Sequence, residues 1–216
     1  MRVRTMGMAV ALATVAPVLA HAHFKLIEPA SWIVEDDRGD PQKMSPCGGA
    51  GNNPGTPTNA VTKVQGNSKL HLKIEETIYH PGHYRVALAI NSRTELPQWP
   101  EVTTKPSENR GPLSVSAPIA EKPQAPVIAD GLFVHDKRPE SCPPTGICKV
   151  PGFWETDVQI PNVNCKKCTL QVIQFMAEHA YNANGGFFYH HCADLEITAN
   201  SKQPLDKRFP TWVGTK

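Results

Sequence analysis

Aromatic residues are scarce in this chain, 7% of 216 positions, and neither charge sign prevails, with 22 Lys and Arg against 20 Asp and Glu. The balance argues against nucleic acid or an anionic membrane as partner, because both need a block of cations to meet phosphates. After the first twenty residues no stretch approaches the roughly 20 apolar residues of a membrane-spanning helix. A glycine-rich phosphate loop, a serine nucleophile elbow and an internal repeat are also missing, which removes P-loop enzymes, α/β-hydrolases and solenoids.

What is present is 21 prolines and 15 glycines, enough to break the chain into short elements separated by turns. The length suits one compact domain, expected to be monomeric and all-β. Residues 1–22 have the layout of a secretory signal peptide: Arg2 and Arg4, an apolar run from Met8 to Ala20, and the small-residue ending Ala20-His21-Ala22. Their removal leaves 20 basic against 20 acidic residues and a secreted or periplasmic protein. The expected division is a signal peptide at 1–22, a sandwich domain at 23–200 and a short C-terminal tail at 201–216.

Six cysteines in an exported chain read first as disulfides. Cys142 with Cys148 and Cys165 with Cys168 each close a short loop, leaving Cys47 and Cys192 for a long-range staple. The competing reading is a four-thiolate zinc site from Cys142, Cys148, Cys165 and Cys168.

Several segments alternate with period two: Lys69 to Ile74, Tyr84 to Ile90, Trp154 to Ile160 and Phe187 to Thr198. Thr169 to Met176 begins in the same pattern and slips at Ile173, which predicts a bulge. Five or more such strands imply a sandwich or barrel. Two turn-rich stretches, Asp36 to Thr58 and Pro97 to Pro126, the latter with seven prolines in 30 residues, predict long loops.

The candidate chemistry lies at the processing site. Cleavage after Ala22 exposes His23, and an N-terminal histidine offers one metal both its α-amine and its ring Nδ1. Cleavage after Ala20 would expose His21 to the same effect; the spacing favours His23. A second imidazole, His80, sits at the Pro81-Gly82 turn ahead of a strand. Two imidazoles and an amine suit copper, with zinc as runner-up. His83 lies three residues on, but a Pro-Gly between the two argues against the helix on which their rings would converge.

These residues resemble the lytic polysaccharide monooxygenases. His23, Pro29 and Ser31 match the mature N-terminal pattern, His80-Pro81-Gly82 matches the second-histidine motif, and Gly185-Gly186-Phe187-Phe188-Tyr189-His190-His191-Cys192-Ala193 is similar to a C-terminal pattern Gly-Ala-Gln-Phe-Tyr-x-x-Cys-Ala. The runs Tyr-His-Pro-Gly-His and Phe-Tyr-His-His-Cys-Ala-Asp look closest to a bacterial polysaccharide monooxygenase-like branch. The resemblance implies an immunoglobulin-like (fibronectin III-like) β-sandwich with long loops and a copper centre in which His23 and His80 are the metal ligands. It further implies Tyr189 at the axial position and His179 as a histidine that hydrogen-bonds bound oxygen. The implied partners are a β-linked polysaccharide such as chitin or cellulose and an external electron donor.

One departure stands out: Phe187 occupies the place of the motif's glutamine. Gln171, Gln174, Glu178 and His191 are candidates to replace it, although a surface-facing ring is the simpler reading of His191. Two other functions follow from the same residues. A copper-delivery protein would use the same chelate without catalysis, and a pure carbohydrate-binding sandwich would stack sugars on Trp32, Trp99 and Trp212. Secreted protein is expected to begin at His23; intact mass and N-terminal sequencing check this, and a start at Phe24 or later would remove the chelate.

Overall fold

The computed structural model describes residues 23–98, 103–108, 111–115, 118–137, 139–143, 147–177, 179–180 and 188–210, with backbone only at 179–180. Among them there is no α-helix, only a single 3₁₀ turn at Arg93–Glu95. The strands are β1 (His23–Glu28), β2 (Val61–Gln65), β3 (Lys69–Ile78), β4 (Gly82–Ala89), β5 (Thr103–Lys105), β6 (Leu113–Val115), β7 (Val127–His135), β8 (Trp154–Gln159), β9 (Cys165–Met176), β10 (His179–Ala180) and β11 (Phe188–Thr198).

Two sheets carry the architecture. One has the order β1-β3-β8 and the other β2-β11-β9-β4-β7, all pairs antiparallel except β2 with β11. Alternation explains how they meet. Leu70, Leu72 and Ile74 of β3 pair with Val158, Thr156 and Trp154 of β8, and Ile74 also faces Leu26 of β1. Their inward side chains join Tyr84, Val86, Leu88, Leu170 and Val172 from the larger sheet in one buried cluster. This is the expected immunoglobulin-like β-sandwich, its core lying between the sheets.

The larger sheet is buried on its other face too. Ala87, Ala89, Leu96, Cys47 and Cys192 form a second cluster there, with Trp32 and Val127 packed against it. This double burial explains why the pattern slips at Ile173. No bulge is present: Ile173 pairs in unbroken register with Arg85 of β4 and His190 of β11. A central strand covered on both faces has no solvent side to keep polar, so alternation fails without any backbone irregularity. The Pro97–Pro126 stretch also differs from a plain loop, since β5 and β6 pair within it and β6 continues to β10.

The cysteines pair as Cys47–Cys192, Cys142–Cys148 and Cys165–Cys168, which uses up the thiolates of the alternative zinc site. Beyond β11 the chain stays attached: Asn162 donates to the carbonyls of Asn200, Gln203 and Pro204, and Phe209 reaches the main core. No helix among the described residues is long and apolar enough to cross a membrane. Replacing Cys47 and Cys192 together by alanine should lower unfolding free energy by about 2–5 kcal/mol, because their bridge closes a loop of 145 positions. Denaturant titration measures it, and the unreduced peptide map should contain the Cys47–Cys192 pair.

Candidate metal centre

β1 begins at His23, and its register with β3 sets His23 opposite Ile78, two residues before His80. Both histidines are buried at the end of the sandwich where Tyr79–Pro81 carries the chain from β3 in one sheet to β4 in the other. From β11, across the core, Tyr189 brings its ring centroid to 5.0 Å from that of His23. The structure therefore gathers His23, His80 and Tyr189 at one end. His179 opens β10, its backbone opposite Ser114; its side chain lies outside the described residues, as do Glu178, Phe187, Trp99 and Trp212.

Each ring is oriented by an acceptor. His23 Nε2 lies 3.1 Å from Asp40 Oδ2, and because a carboxylate only accepts, the proton of the neutral ring sits on Nε2 and the lone pair on Nδ1. His80 Nδ1 faces the Pro81 carbonyl at 3.2 Å, which by the same logic leaves the lone pair on Nε2. Metal-bound imidazoles are characteristically fixed this way through the other nitrogen. In the chain of 216 residues the α-nitrogen of His23 is a peptide nitrogen; cleavage before His23 would turn it into an amine beside Nδ1. This donor set fits copper. Among the described residues there is no cluster of three or more His, Cys, Asp or Glu side chains able to hold a metal.

Asp40 is delivered by the loop after β1. Its N–H and that of Arg38 both donate to Asp36 Oδ1, at 2.9 and 2.8 Å, and Gly39 takes φ 95° with its Cα against the Phe24 carbonyl, where a Cβ would collide. The bond from His23 holds the Asp40 carboxyl below its ordinary range against the opposing effect of burial, helped by the charges of His23, Lys43 and Arg38. Tyr189 shifts the other way. Burial, and then the Asp40 charge, push its phenol up, so it is protonated at neutral pH.

Behind His80 lies a polar network that the sequence reading missed. Glu76, fully buried on β3, accepts at Oε1 from the His80 N–H (3.2 Å), from Gln174 Nε2 (3.0 Å) and from His135 Nε2 (3.2 Å). His135 Nε2 also lies 2.8 Å from the His80 carbonyl. Burial lowers the His135 pKa, but the bond and charge of Glu76, with the Phe133 and His80 carbonyls, outweigh it and the net shift is upward. A signal was there to read: Glu76 continues the inward series Leu70, Leu72, Ile74, and a carboxylate at an inward strand position demands a partner.

The remaining candidates are engaged elsewhere. Gln171 donates to the Pro46 and Pro97 carbonyls on the outer side of the larger sheet, and Gln174 is committed to Glu76. His191 is not a surface ring. It is fully buried, with Nδ1 2.9 Å from Glu35 Oε1 and Nε2 3.0 Å from the Phe24 carbonyl, because the β1 side of the core covers that face of β11. Trp32 is not an open sugar platform either: the Arg93 guanidinium covers its ring at 3.9 Å, and its Nε1 donates to the Cys47 carbonyl.

No family model matches the chain, and a search of curated proteins returns no match. Among solved structures, similarity is found to an AA15 lytic polysaccharide monooxygenase from Thermobia domestica in the Cu(I) state. Identity is 15%, coverage is 65% of this chain and 65% of that one, and the TM-score is 0.34. The chain thus spans 65% of that protein's length, and likeness at this level carries no argument about the site.

His83 belongs to a different cluster from His80. It stacks on Phe175 at 4.7 Å and lies 3.7 Å from Asp130, and burial lowers its pKa. Burial also acts to raise the Asp130 carboxyl, but the 2.7 Å bond from Arg85 and the N–H groups of Ala120 and Gly131 win, so its pKa falls. A depressed carboxyl contributes stability above its unfolded value near ~3.9, and that contribution disappears as pH falls through the folded value. Asp130→Asn should therefore cost on the order of 3 kcal/mol at neutral pH, by leaving Arg85 without its counter-charge. The deficit should shrink below about pH 4. Urea unfolding of both proteins across pH 3–8 measures it.

Proposed function

We propose that the processed chain is an exported copper protein of the lytic polysaccharide monooxygenase type, affiliated with the bacterial polysaccharide monooxygenase-like branch. In this reading it cleaves a β-linked polysaccharide such as chitin or cellulose oxidatively, drawing on an external electron donor. The observation that carries the reading is the β1–β3 register, which sets His23 opposite Ile78 and beside the His80 turn, with each ring's tautomer fixed by Asp40 and by the Pro81 carbonyl. The three disulfides agree with an oxidising compartment.

The His23 α-amine and Nδ1, with His80 Nε2, would hold the metal. Copper there would supply one-electron redox chemistry toward O2 or H2O2. The chain's own residues bind and orient: Asp40 keeps the His23 proton on Nε2, and the buried Tyr189 packs its ring beside that of His23 as a protonated phenol. His179 is proposed as the imidazole that hydrogen-bonds the oxidant. Rigid ligands on strands and at a short turn suit such a centre better than loop ligands would.

A second reading, copper delivery without turnover, draws support from one observation. Gln171 and Gln174 both spend their amide N–H groups on other partners, and neither is placed to do the work of the glutamine that Phe187 replaces.

Calorimetric titration with Cu(II) should show one tight site in the processed protein. His80→Ala should lose most of the affinity and His83→Ala little, since only the former opens a coordination position. Copper-loaded protein with reductant and O2 or H2O2 should then release oxidised oligosaccharides from chitin, cellulose or xylan, detected by mass spectrometry. Tyr189→Ala should lower turnover more than affinity. Tight copper binding with no oxidised sugar selects the delivery reading, and no copper binding at all ends both.

A further inference from the structure

The Glu76–His135 network has features that fold stability does not explain. Glu76 is a carboxylate at 0% exposure between two sheets, and its Oε2 has no hydrogen-bond partner among the described residues. Buried ion pairs of this kind contribute little net stability, because desolvation offsets their attraction and a well-packed apolar pair serves as well. Their recurrent use is to specify one geometry among several.

The geometry specified here is that of His80. Its N–H donates to Glu76 Oε1 at 3.2 Å, and its carbonyl lies 2.8 Å from His135 Nε2, which also faces Glu76 Oε1. Both peptide groups of one residue are thus gripped by two side chains that grip each other. The two come from different sheets, Glu76 from β3 and His135 from the end of β7, and Gln174 on β9 ties the carboxylate to the larger sheet as well.

His135 is itself fixed on every side. Its Nδ1 bonds the Phe133 carbonyl, its ring stacks on Trp154 with centroids 5.3 Å apart and planes 20° apart, and Tyr79 lies 5.4 Å away. Phe133 adopts φ 51° to aim that carbonyl, a left-handed conformation uncommon for an aromatic residue and tolerated only where the surroundings impose it.

We propose that Glu76 and His135 are positioning residues for His80: they clamp its backbone where the chain crosses between the sheets and so hold its imidazole in place as a metal ligand. The inference rests on the proposed copper function for its second half only; the clamp exists whether or not copper binds. In this arrangement Glu76→Gln keeps an acceptor for the His80 N–H but loses the charged partner of His135, whereas His135→Gln keeps a donor toward the His80 carbonyl.

Two measurements on the processed protein test it. The first needs no metal: in hydrogen exchange the His80 amide should be protected in the native protein, and protection should fall in Glu76→Ala well beyond that of amides in β8 and β11. The second is Cu(II) titration with electron paramagnetic resonance. Glu76→Ala and His135→Ala should weaken copper about ten- to a hundredfold and broaden the spectrum into more than one species, with His135→Gln recovering part of both. Native-like affinity and a single unchanged spectrum in folded Glu76→Ala and His135→Ala proteins would overturn the positioning role, whatever their melting temperatures. If neither alanine variant folds, the His80 amide of the unaltered protein decides, and exchange at the unprotected rate overturns the clamp. If the unaltered protein binds no copper, the functional reading fails, while the exchange experiment still decides the clamp.

Discussion

A carboxylate sealed between two sheets must be met by hydrogen-bond donors, and much of this molecule's polar geometry follows from how Glu76 is met. Its three donors come from the turn after β3, from β7 and from β9, so one oxygen atom fixes the relative placement of both sheets at one end. The apolar core sets how far apart the sheets lie, but dispersion and burial are non-directional. Direction at this end is imposed by the carboxylate, and the crossing at Tyr79–Pro81 inherits it.

The opposite face of the larger sheet is governed by a single long loop. Between β1 and β2 the chain supplies Asp40 to the His23 ring, the Gln42 side-chain oxygen to the Phe24 N–H, the Gln42 carbonyl to the His190 N–H, and Cys47 to Cys192. The first strand and the last are thus joined through a segment with little regular structure of its own. His190 lies beneath it, fully buried, and desolvation depresses its pKa to about 4. It is therefore neutral at neutral pH.

The period-two pattern disclosed the sandwich, and where one face met solvent, as on β3 and β8, it also disclosed which residues share a face. It failed on β9, because burial on both sides erases alternation, and on β2 and β7, which are short of apolar residues or interrupted by glycine. The cysteine pairing was readable because spacing left only one long-range pair. His23, His80 and Tyr189 could be singled out as candidates by motif, but the side chains that hold the two histidines could not. Asp40 and His135 lie 17 and 55 positions from the histidines they contact, and a hydrogen bond across such separations leaves no local signature. Glu76 was the exception, a charged residue on an otherwise apolar strand face.

The Cys47–Cys192 bridge spans 145 positions, and for the exported form proposed above this has a bearing on the order of events. A chain threading through a translocon presents its N-terminal segment first, while Cys192 emerges only after most of the polypeptide has passed. Until then β11 does not exist outside, the loop after β1 has nothing to be tied to, and β3 must wait for β8 to complete its sheet. During that interval β1 would still be unpaired, the form in which a leader peptidase could act before His23. In the proposed exported form the topology would set a time window: the N-terminus would be trimmed while the chain is still arriving, before the last strand to emerge closes the structure.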